Sequence, residues 1–231
     1  MSINPEKFVN FVAFEKRIAL KIQVRGEEII LSAERALYWP REKALVVADM
    51  HLGKTAHFRQ FGIPVPSSLL SSDLLRLTSL IDKFLPNKLI VVGDMFHQHF
   101  NHDIEVFTDW RSRFEGLQVV LVQGNHDKLK PLQYMNMDIE IYNPNLCLAP
   151  FQFVHEHKQH HEQFFTISGH VHPGVLLRGS ARQSLKLPCF ALNKHQVVLP
   201  AFSLFTGLDV SYCIDECDFY AIAAENVFKV G

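Results

Sequence analysis

Short, largely apolar runs recur along the chain, and each is followed at once by polar residues. Five of them are rich in valine, isoleucine, leucine or phenylalanine, at residues 45–48, 89–92, 119–122, 151–154 and 164–167. Runs of this length and composition are typical of buried strands. The pattern therefore predicts five buried strands with a polar loop at the end of each.

Two segments between these runs have the apolar spacing of amphipathic helices. In the first, apolar residues recur four, three, four and three positions apart at Leu70, Leu74, Leu77, Ile81 and Phe84. Ser67 or Ser68 is the expected N-cap, and Pro86 is expected to end the helix. A second helix is predicted over residues 103–114.

The order of these elements predicts an α/β fold with two sheets. Strand, helix, strand, helix, strand is the pattern of a sheet built from βαβ units. Later strands without long helices between them favour a second, largely antiparallel sheet; they are predicted at residues 174–178, 185–192, 197–199 and 219–230. Strands at residues 18–24 and 28–31, around an Arg25-Gly26 turn, are expected to form a hairpin that joins this second sheet. We expect a single domain over residues 1–231, with its core at about residues 32–207.

Composition narrows the class of protein. The chain has 231 residues, 48% of them hydrophobic, and a formal net charge of -1. It can bury one sizeable core, but it lacks the broad positive field that captures nucleic acid nonspecifically. Any polynucleotide must be held by metals and local basic residues, for which the sequence offers Arg111, Arg113, Arg178, Arg182 and Lys186. With no leader or membrane-length apolar run in the sequence, a soluble cytoplasmic protein with reduced cysteines is expected.

The chain has 13 histidines, and many of them lie just after the predicted strands. Five motifs occur there, in the order Asp49-x-His51, Gly93-Asp94, Gly124-Asn125-His126-Asp127, His155 and Gly169-His170-x-His172. Ligands gather at the carboxyl ends of strands in such sheets. In an extended chain, alternate side chains point the same way, so Asp49 and His51 are expected to reach one ion, and His170 and His172 again alternate two apart. Imidazole, carboxylate and amide ligands without cysteine suit manganese, iron or zinc, and their number implies two ions.

Two such ions favour phosphoester hydrolysis. A metal pair clamps the attacking and leaving oxygens of an in-line displacement, in which a hydroxide that bridges the ions attacks phosphorus. His126 is then expected to stabilise the charged phosphorane or to protonate the leaving oxygen. Taken alone, an aspartate after a strand is usually a turn residue and a buried histidine a satisfied core group. The interpretation therefore depends on the whole set and its order.

The motif set resembles the calcineurin-like metallophosphoesterase superfamily. The resemblance implies a four-layer αββα double β-sandwich. It also implies one metal held by Asp49, His51, Asp94 and His172, and a second held by Asp94, Asn125, His155 and His170. Asp94 would bridge the two metals, and His126 matches the catalytic histidine of the family.

A narrower resemblance is carried by strings outside the metal motifs. These lie at residues 33–40, 51–54, 58–59, 62–66, 187–190, 199–202 and 205–207. They resemble the ligase-associated DNA-damage-response phosphoesterases of the PdeM type. That resemblance implies a bacterial manganese-dependent phosphodiesterase or endonuclease for single-stranded DNA or RNA, acting in DNA repair near a DNA ligase, a helicase and a nuclease.

Three assignments stay open in the sequence. The string Gly93-Asp94-Met95-Phe96-His97 resembles that of double-strand-break repair nucleases, which makes His97 a second catalytic candidate or else an exposed loop histidine. Lys54 and Arg59 are expected to contact substrate phosphates, or they are solvated surface charges. At the fourth motif His157 competes with His155, which we favour because it directly follows a predicted strand.

Three functions compete at this stage. The leading one is the nuclease or phosphodiesterase described above. The second is a small-molecule or nucleotide phosphodiesterase or phosphatase that uses the same metals. The third is a metal-binding scaffold without chemistry, against which the presence of His126 argues.

Overall fold

A computed structural model of the chain describes residues 7–8, 19–66, 68–97, 101–156, 163–179, 183–212 and 217–230. The first of its two sheets runs in the order β2 (Ala19–Val24), β3 (Glu27–Ser32), β4 (Ala36–Trp39), β5 (Ala44–Val47), β6 (Lys88–Val92), β7 (Gln118–Val122) and β8 (Ile139–Tyr142). Neighbours are antiparallel from β2 to β5 and parallel from β5 to β8. Polar loops at the carboxyl ends of β5, β6 and β7 therefore meet at one edge of this sheet.

In the second sheet the predicted later strands pair antiparallel with one another, as expected, and other pairs are parallel. The order of this sheet is β1 (Lys7–Phe8), β12 (Gly174–Arg178), β13 (Ser184–Leu192), β14 (Gln196–Val198), β11 (Phe165–Ser168), β10 (Phe151–Val154) and β9 (Asn145–Leu148). In addition, β15 (Asp218–Ala223) pairs with β13, and β16 (Asn226–Val230) pairs with β15. The pairs β1–β12, β14–β11 and β11–β10 are parallel. The parallel pairing of β10 with β11 brings the loops after both strands to the same edge.

Helices in the described part of the chain all lie between residues 54 and 136. They are α1 (Lys54–Gln60), α2 (Ser68–Phe84), α3 (His102–Arg111) and α4 (Pro131–Asn136). Both predicted helices are present, and α2 ends where Leu85 adopts φ 46° before Pro86. Helix α3 is capped by Asn101, whose side chain accepts a hydrogen bond from Asp103 N at 3.1 Å. Ser67, one of the two predicted N-caps of α2, lies outside the described residues.

The five predicted buried strands are confirmed, and their bounds differ by at most one residue from those predicted. The three that lie in the first sheet, β5, β6 and β7, are apolar on both faces because this sheet separates two cores. On β6, Leu89 and Val91 face the core under the helices, whereas Ile90 and Val92 face the core between the sheets. This alternation follows from the pleat of the strand.

The N-terminal hairpin is placed differently from the prediction. Strands β2 and β3 do pair around Arg25 and Gly26, both with positive φ, as a tight two-residue hairpin turn requires. They belong to the first sheet, however, and not to the second. The reason is β4, which was not predicted and which continues the antiparallel order from β3 to β5.

The two packed sheets and their helices confirm the α/β double-sandwich fold class. Side chains of α2, α3 and α4 contribute to the core on the outer face of the first sheet. On the outer face of the second sheet, the described residues form a smaller apolar cluster that includes Val175, Leu187, Cys189 and Ala221 and contains no helix residue. The described part of the chain therefore supplies three of the four predicted layers. None of its helices has the length and apolar character needed to cross a membrane.

Candidate metal centre

The predicted metal-ligating residues lie in loops at the carboxyl ends of β5, β6, β7, β10 and β11. The structure brings six of them into two groups, Asp49 with His51 and His172, and Asp94 with His155 and His170. Within each group the potential ligand atoms all lie within 4.8 Å of one another. Residues from four separate loops are thus gathered into two compact sets of donors.

In the first group, His51 Nε2 lies 3.4 Å from His172 Nε2. The same nitrogen of His172 lies 3.4 Å from Asp49 Oδ1, and the Asp49 side chain is fully buried. Two imidazole nitrogens and a carboxylate oxygen that face one another in this way form the donor set that a divalent cation requires.

The second group is centred on His155. Its Nε2 lies 3.1 Å from His170 Nδ1, 3.4 Å from Asp94 Oδ1 and 3.0 Å from Asn125 Oδ1. Asn125 Oδ1 therefore lies beside this group, and its role as a metal ligand stays a prediction. His157, the alternative to His155, lies outside the described residues. The donor chemistry of both groups fits divalent metals, as expected.

Backbone hydrogen bonds join the motif loops to one another. Asp49 N donates to Gly93 O at 3.1 Å, and His51 N donates to Asp94 O at 2.8 Å. His170 N donates to Asp49 Oδ2 at 2.9 Å. The first, second and fifth motifs are therefore held together by the protein itself.

The local backbone of the ligand residues differs from the prediction. Left-handed φ angles occur at Asp49 (54°), His51 (47°), Asp94 (50°), His170 (71°) and His172 (53°). Asp49 and His51 therefore do not reach one group because an extended chain alternates its side chains, and His170 and His172 fall in different groups. The loops turn sharply at these residues, in a conformation that non-glycine residues adopt at a cost and that the surrounding contacts must hold.

Glycines in three of the motifs make room for ligand side chains. A Cβ atom on Gly93 would lie 2.0 Å from His155 Nδ1, and one on Gly124 would lie 2.3 Å from Asp94 Oδ1. On Gly169 it would lie 2.7 Å from Asp49 Oδ2. Each glycine thus allows a close approach that any larger residue would prevent.

Burial and hydrogen bonds set the charge states in the centre. Burial lowers the pKa of His51 to about 3. Burial alone would raise the pKa of Asp94, but the hydrogen bond and charge of His155, together with the backbone N–H of His126, lower it to about 2. A neutral imidazole and an ionised carboxylate are the forms that bind metals.

The two catalytic candidates lie beside the donor groups. His126 N donates to Asp94 Oδ1 at 2.9 Å, and the half-buried His126 ring lies 5.5 Å from that of His51 between centroids. His97 stacks on His126, and burial and the charge of His126 lower the pKa of His97 to about 4. His97 is therefore neutral at pH 7. The catalytic roles of both residues stay predictions.

Lys54, the first residue of α1, faces the centre. Burial lowers the pKa of Lys54, while the charges of Asp49 and Asp94 act in the opposite direction. Its Nζ also lies 5.8 Å from the ring centroid of Phe205. Lys54 thus lies between the carboxylates of the donor groups and a partly buried ring, and its contact with a substrate phosphate stays a prediction.

Two of the other basic candidates, Arg59 and Arg111, have ion-pair partners within the protein. Arg59 donates to the buried Asp103 at 3.0 Å, so its predicted phosphate contact would compete with this ion pair. Arg111 is buried and donates to Leu117 O at 2.8 Å and to Asp138 at 2.9 Å. The expectation that Arg111 contributes to a basic patch is therefore wrong. Arg182 lies outside the described residues.

Two aspartates hold the loops and the helix around the centre by accepting hydrogen bonds from their backbone. Neither of them was assigned a role from the sequence. Asp127 accepts hydrogen bonds from Phe96 N at 2.8 Å and Gly124 N at 2.9 Å, which joins the second and third motif loops. Its position at the end of the Gly-Asn-His-Asp motif is the sequence feature that could have indicated this role. Asp103 accepts from Ala56 N at 2.9 Å and so caps α1 from another helix. No local signal in the sequence reveals that contact.

The strings outside the metal motifs meet beside the Asp49 loop. Arg35 donates to Ala201 O at 3.3 Å and to Ser203 O at 2.9 Å, and Arg76 donates to Phe202 O. Ser203 N in turn donates to Asp49 O at 3.3 Å. Residues 33–40 and 199–207 are thus bonded to each other, and the second segment is bonded to the loop that carries Asp49 of the first donor group.

Comparison with known proteins identifies the class. A family model for calcineurin-like phosphoesterases matches residues 43–191, and the chain belongs to this family. Among solved structures, the nuclease MPE of Pseudomonas putida matches with a TM-score of 0.76 and 32% identity, over 92% of this chain and 100% of that chain. The E. coli phosphoesterase Yfce matches with a TM-score of 0.43 and 13% identity, over 81% and 97% of the two chains. No curated protein matches significantly.

The protein is therefore a metal-dependent phosphoesterase, a hydrolase of the calcineurin-like type. Its architecture and most of its length are shared with the P. putida nuclease. Two candidate metal-binding groups lie where the strands of both sheets end.

Proposed function

We propose that this protein is a two-metal phosphodiesterase that cuts single-stranded DNA or RNA internally. The observation that carries the proposal is the adjacency of the two donor groups. His155 Nδ1, in the second group, lies 4.0 Å from Asp49 Oδ1, in the first. Two divalent ions bound so close together would clamp the attacking and leaving oxygens of an in-line displacement and lower the pKa of a water.

Three residues around the centre are proposed to bridge the metals, to act on the leaving oxygen and to bind a substrate phosphate. Asp94 is the expected bridging ligand, and the N–H of His126 fixes one of its oxygens at 2.9 Å. The His126 ring is not part of either donor group, which leaves it free to protonate the leaving oxygen or to stabilise charge on phosphorus. Lys54 is expected to neutralise a phosphate of the substrate.

A nucleic-acid substrate is favoured by the match to the P. putida protein, which is described as a nuclease. The strings at residues 33–40 and 199–207 also lie against the centre rather than elsewhere in the fold. A role in DNA repair, and partnership with a DNA ligase, a helicase or a nuclease, follow only from the resemblance to PdeM-type proteins. Manganese is the proposed metal on the same basis, with iron and zinc as alternatives.

The decisive experiment compares four substrates with each candidate metal. These are a diester reporter, a monoester reporter, single-stranded DNA or RNA, and duplex DNA. We expect turnover of the diester and internal cutting of the single strands, highest with manganese. A cytoplasmic location is a separate expectation, which fractionation of cells would test.

Other outcomes would support the competing functions. Turnover of the monoester without the diester would make the protein a phosphatase. Turnover of the diester without cutting of any nucleic acid would make it a small-molecule phosphodiesterase.

A further inference from the structure

Aromatic rings continue from the metal centre to the protein surface. His126 stacks on His97 with centroids 5.1 Å apart, and His97 contacts His57 at 5.2 Å. His57 in turn lies 4.9 Å from Phe61, centroid to centroid. The row runs from the catalytic candidate across α1 and ends at a ring that is 72% exposed.

The backbone that carries Phe61 is held in place although the side chain is exposed. Its backbone N donates to Phe58 O at 3.1 Å, and Ile63 N donates to the same oxygen at 3.1 Å. The helix that carries it is fixed at its other end, where Asp103 accepts hydrogen bonds from the Thr55 hydroxyl at 2.5 Å and from Ala56 N at 2.9 Å. A fixed, exposed aromatic ring beside a catalytic centre is a surface on which a ligand can stack.

A second edge of the same helix carries a positive charge. Lys54 Nζ lies 5.8 Å from the Phe205 ring, and Phe205 packs edge-on against Phe58 at 5.6 Å. Helix α1 therefore presents a cation near the metal-ligating carboxylates and an aromatic ring farther out. Phosphate next to base is the repeating chemistry of a nucleic-acid strand.

We propose that Phe61, backed by His57, stacks on a nucleobase of the strand being cut while a neighbouring phosphate lies at the metal centre. This inference rests on the proposed nuclease function. Stacking on an aromatic ring accepts any base but requires a base that is free of its own duplex, so it selects single strands. It also supplies affinity that a net charge of -1 cannot provide through a broad positive field.

The test compares two single strands of equal length that differ only in their bases. One is oligothymidylate, and the other is an abasic deoxyribose-phosphate chain. The quantity measured is the ratio of kcat/KM on the first to kcat/KM on the second. In Phe61→Ala we expect this ratio to fall about tenfold relative to the wild type, because stacking is lost only where a base is present.

Three further variants isolate stacking from other effects. Phe61→Trp should keep the ratio at or above the wild-type value, whereas Phe61→Leu, which is apolar but has no ring, should lower it like alanine. Leu85→Ala is the matched control, because Leu85 is 74% exposed and precedes β6, at the opposite end of the strand from the centre. We expect Leu85→Ala to leave the ratio unchanged. Oligouridylate in place of oligothymidylate shows whether RNA is accepted equally.

Failure of this inference and failure of the nuclease function give different results. If the wild type cuts oligothymidylate but the ratio is the same in Phe61→Ala, or if leucine restores it, the stacking surface is refuted and the nuclease function stands. If the wild type hydrolyses a diester reporter but cuts neither strand, the nucleic-acid substrate and the stacking surface both fail.

Discussion

The imidazole of His97 stacks on that of His126, with ring centroids 5.1 Å apart and ring planes inclined by 19°. His97 is neutral at pH 7, since its pKa is lowered to about 4, and it cannot serve as a protonated acid there. It can orient His126 or accept a hydrogen bond from substrate. Of the two histidines, His126 is therefore the stronger candidate for proton transfer to the leaving oxygen.

His126→Ala should lower kcat on a diester reporter by a factor of about 10² to 10⁴, the usual contribution of an acid–base group. Metal content should be unchanged, because the His126 ring is not in either donor group. Kinetics and elemental analysis of the same preparation check both statements. An alanine variant as active as the wild type would refute the assignment.

Asp94→Ala should abolish activity and metal binding together. Asp94 Oδ1 lies 3.4 Å from His155 Nε2, and the carboxylate is the expected bridge between the two ions. Its loss removes an expected ligand of both ions and leaves Asp49 as the only carboxylate in the two donor groups. Elemental analysis that still finds two metals per chain would contradict the bridging role.

Gly169→Ala should reduce metal affinity and stability because its Cβ would lie 2.7 Å from both Ala48 Cβ and Asp49 Oδ2. Overpacking of this kind costs about 1 to 3 kcal/mol in the free energy of unfolding. Gly116→Ala is a matched control, since no atom lies within 4 Å of the added Cβ. Thermal denaturation with and without metal should separate the two variants, and equal behaviour would refute the steric argument.

Lys54→Ala and Arg59→Ala should have different effects. Removing Arg59 leaves the buried carboxylate of Asp103 without its ion-pair partner, which we expect to cost about 1 to 3 kcal/mol in the free energy of unfolding. Removing Lys54 should chiefly raise KM for a nucleic-acid strand. Chemical denaturation and steady-state kinetics distinguish these outcomes. A raised KM in Arg59→Ala at unchanged stability would instead restore Arg59 as a substrate-binding residue.

Cys189 should be inert to alkylation at pH 8, whereas the exposed Cys147 should react. Burial raises the pKa of Cys189 to about 12, and only the thiolate is nucleophilic. The labelling rate of Cys189 in the folded protein should therefore keep rising with pH above 9, where an ordinary thiol has levelled off. Peptide mass spectrometry after alkylation over a series of pH values measures both rates. Equal labelling of the two cysteines at pH 8 would contradict the burial of Cys189.

The sequence by itself determined the elements that depend on local pattern. Apolar runs of strand length predicted the buried strands. The helical spacing of apolar residues predicted α2 and α3, and the short motifs predicted the candidate ligands. These signals are local because pleat, helical turn and chain reversal depend on neighbouring residues. The short helices α1 and α4 were missed because they carry too few residues to show a helical period.

Only the tertiary structure decided which distant segments of the chain contact one another at the centre and in the sheets. The N–H of His170 holds Asp49 across 121 residues of sequence, and Arg35 holds the carbonyl of Ser203 across 168. The left-handed turns at the ligands, the pairing of the hairpin with β4 and the row of rings on α1 likewise depend on contacts between distant segments. Such contacts leave no periodic trace in the chain, because each is fixed by the packing of two sheets against each other rather than by adjacent residues.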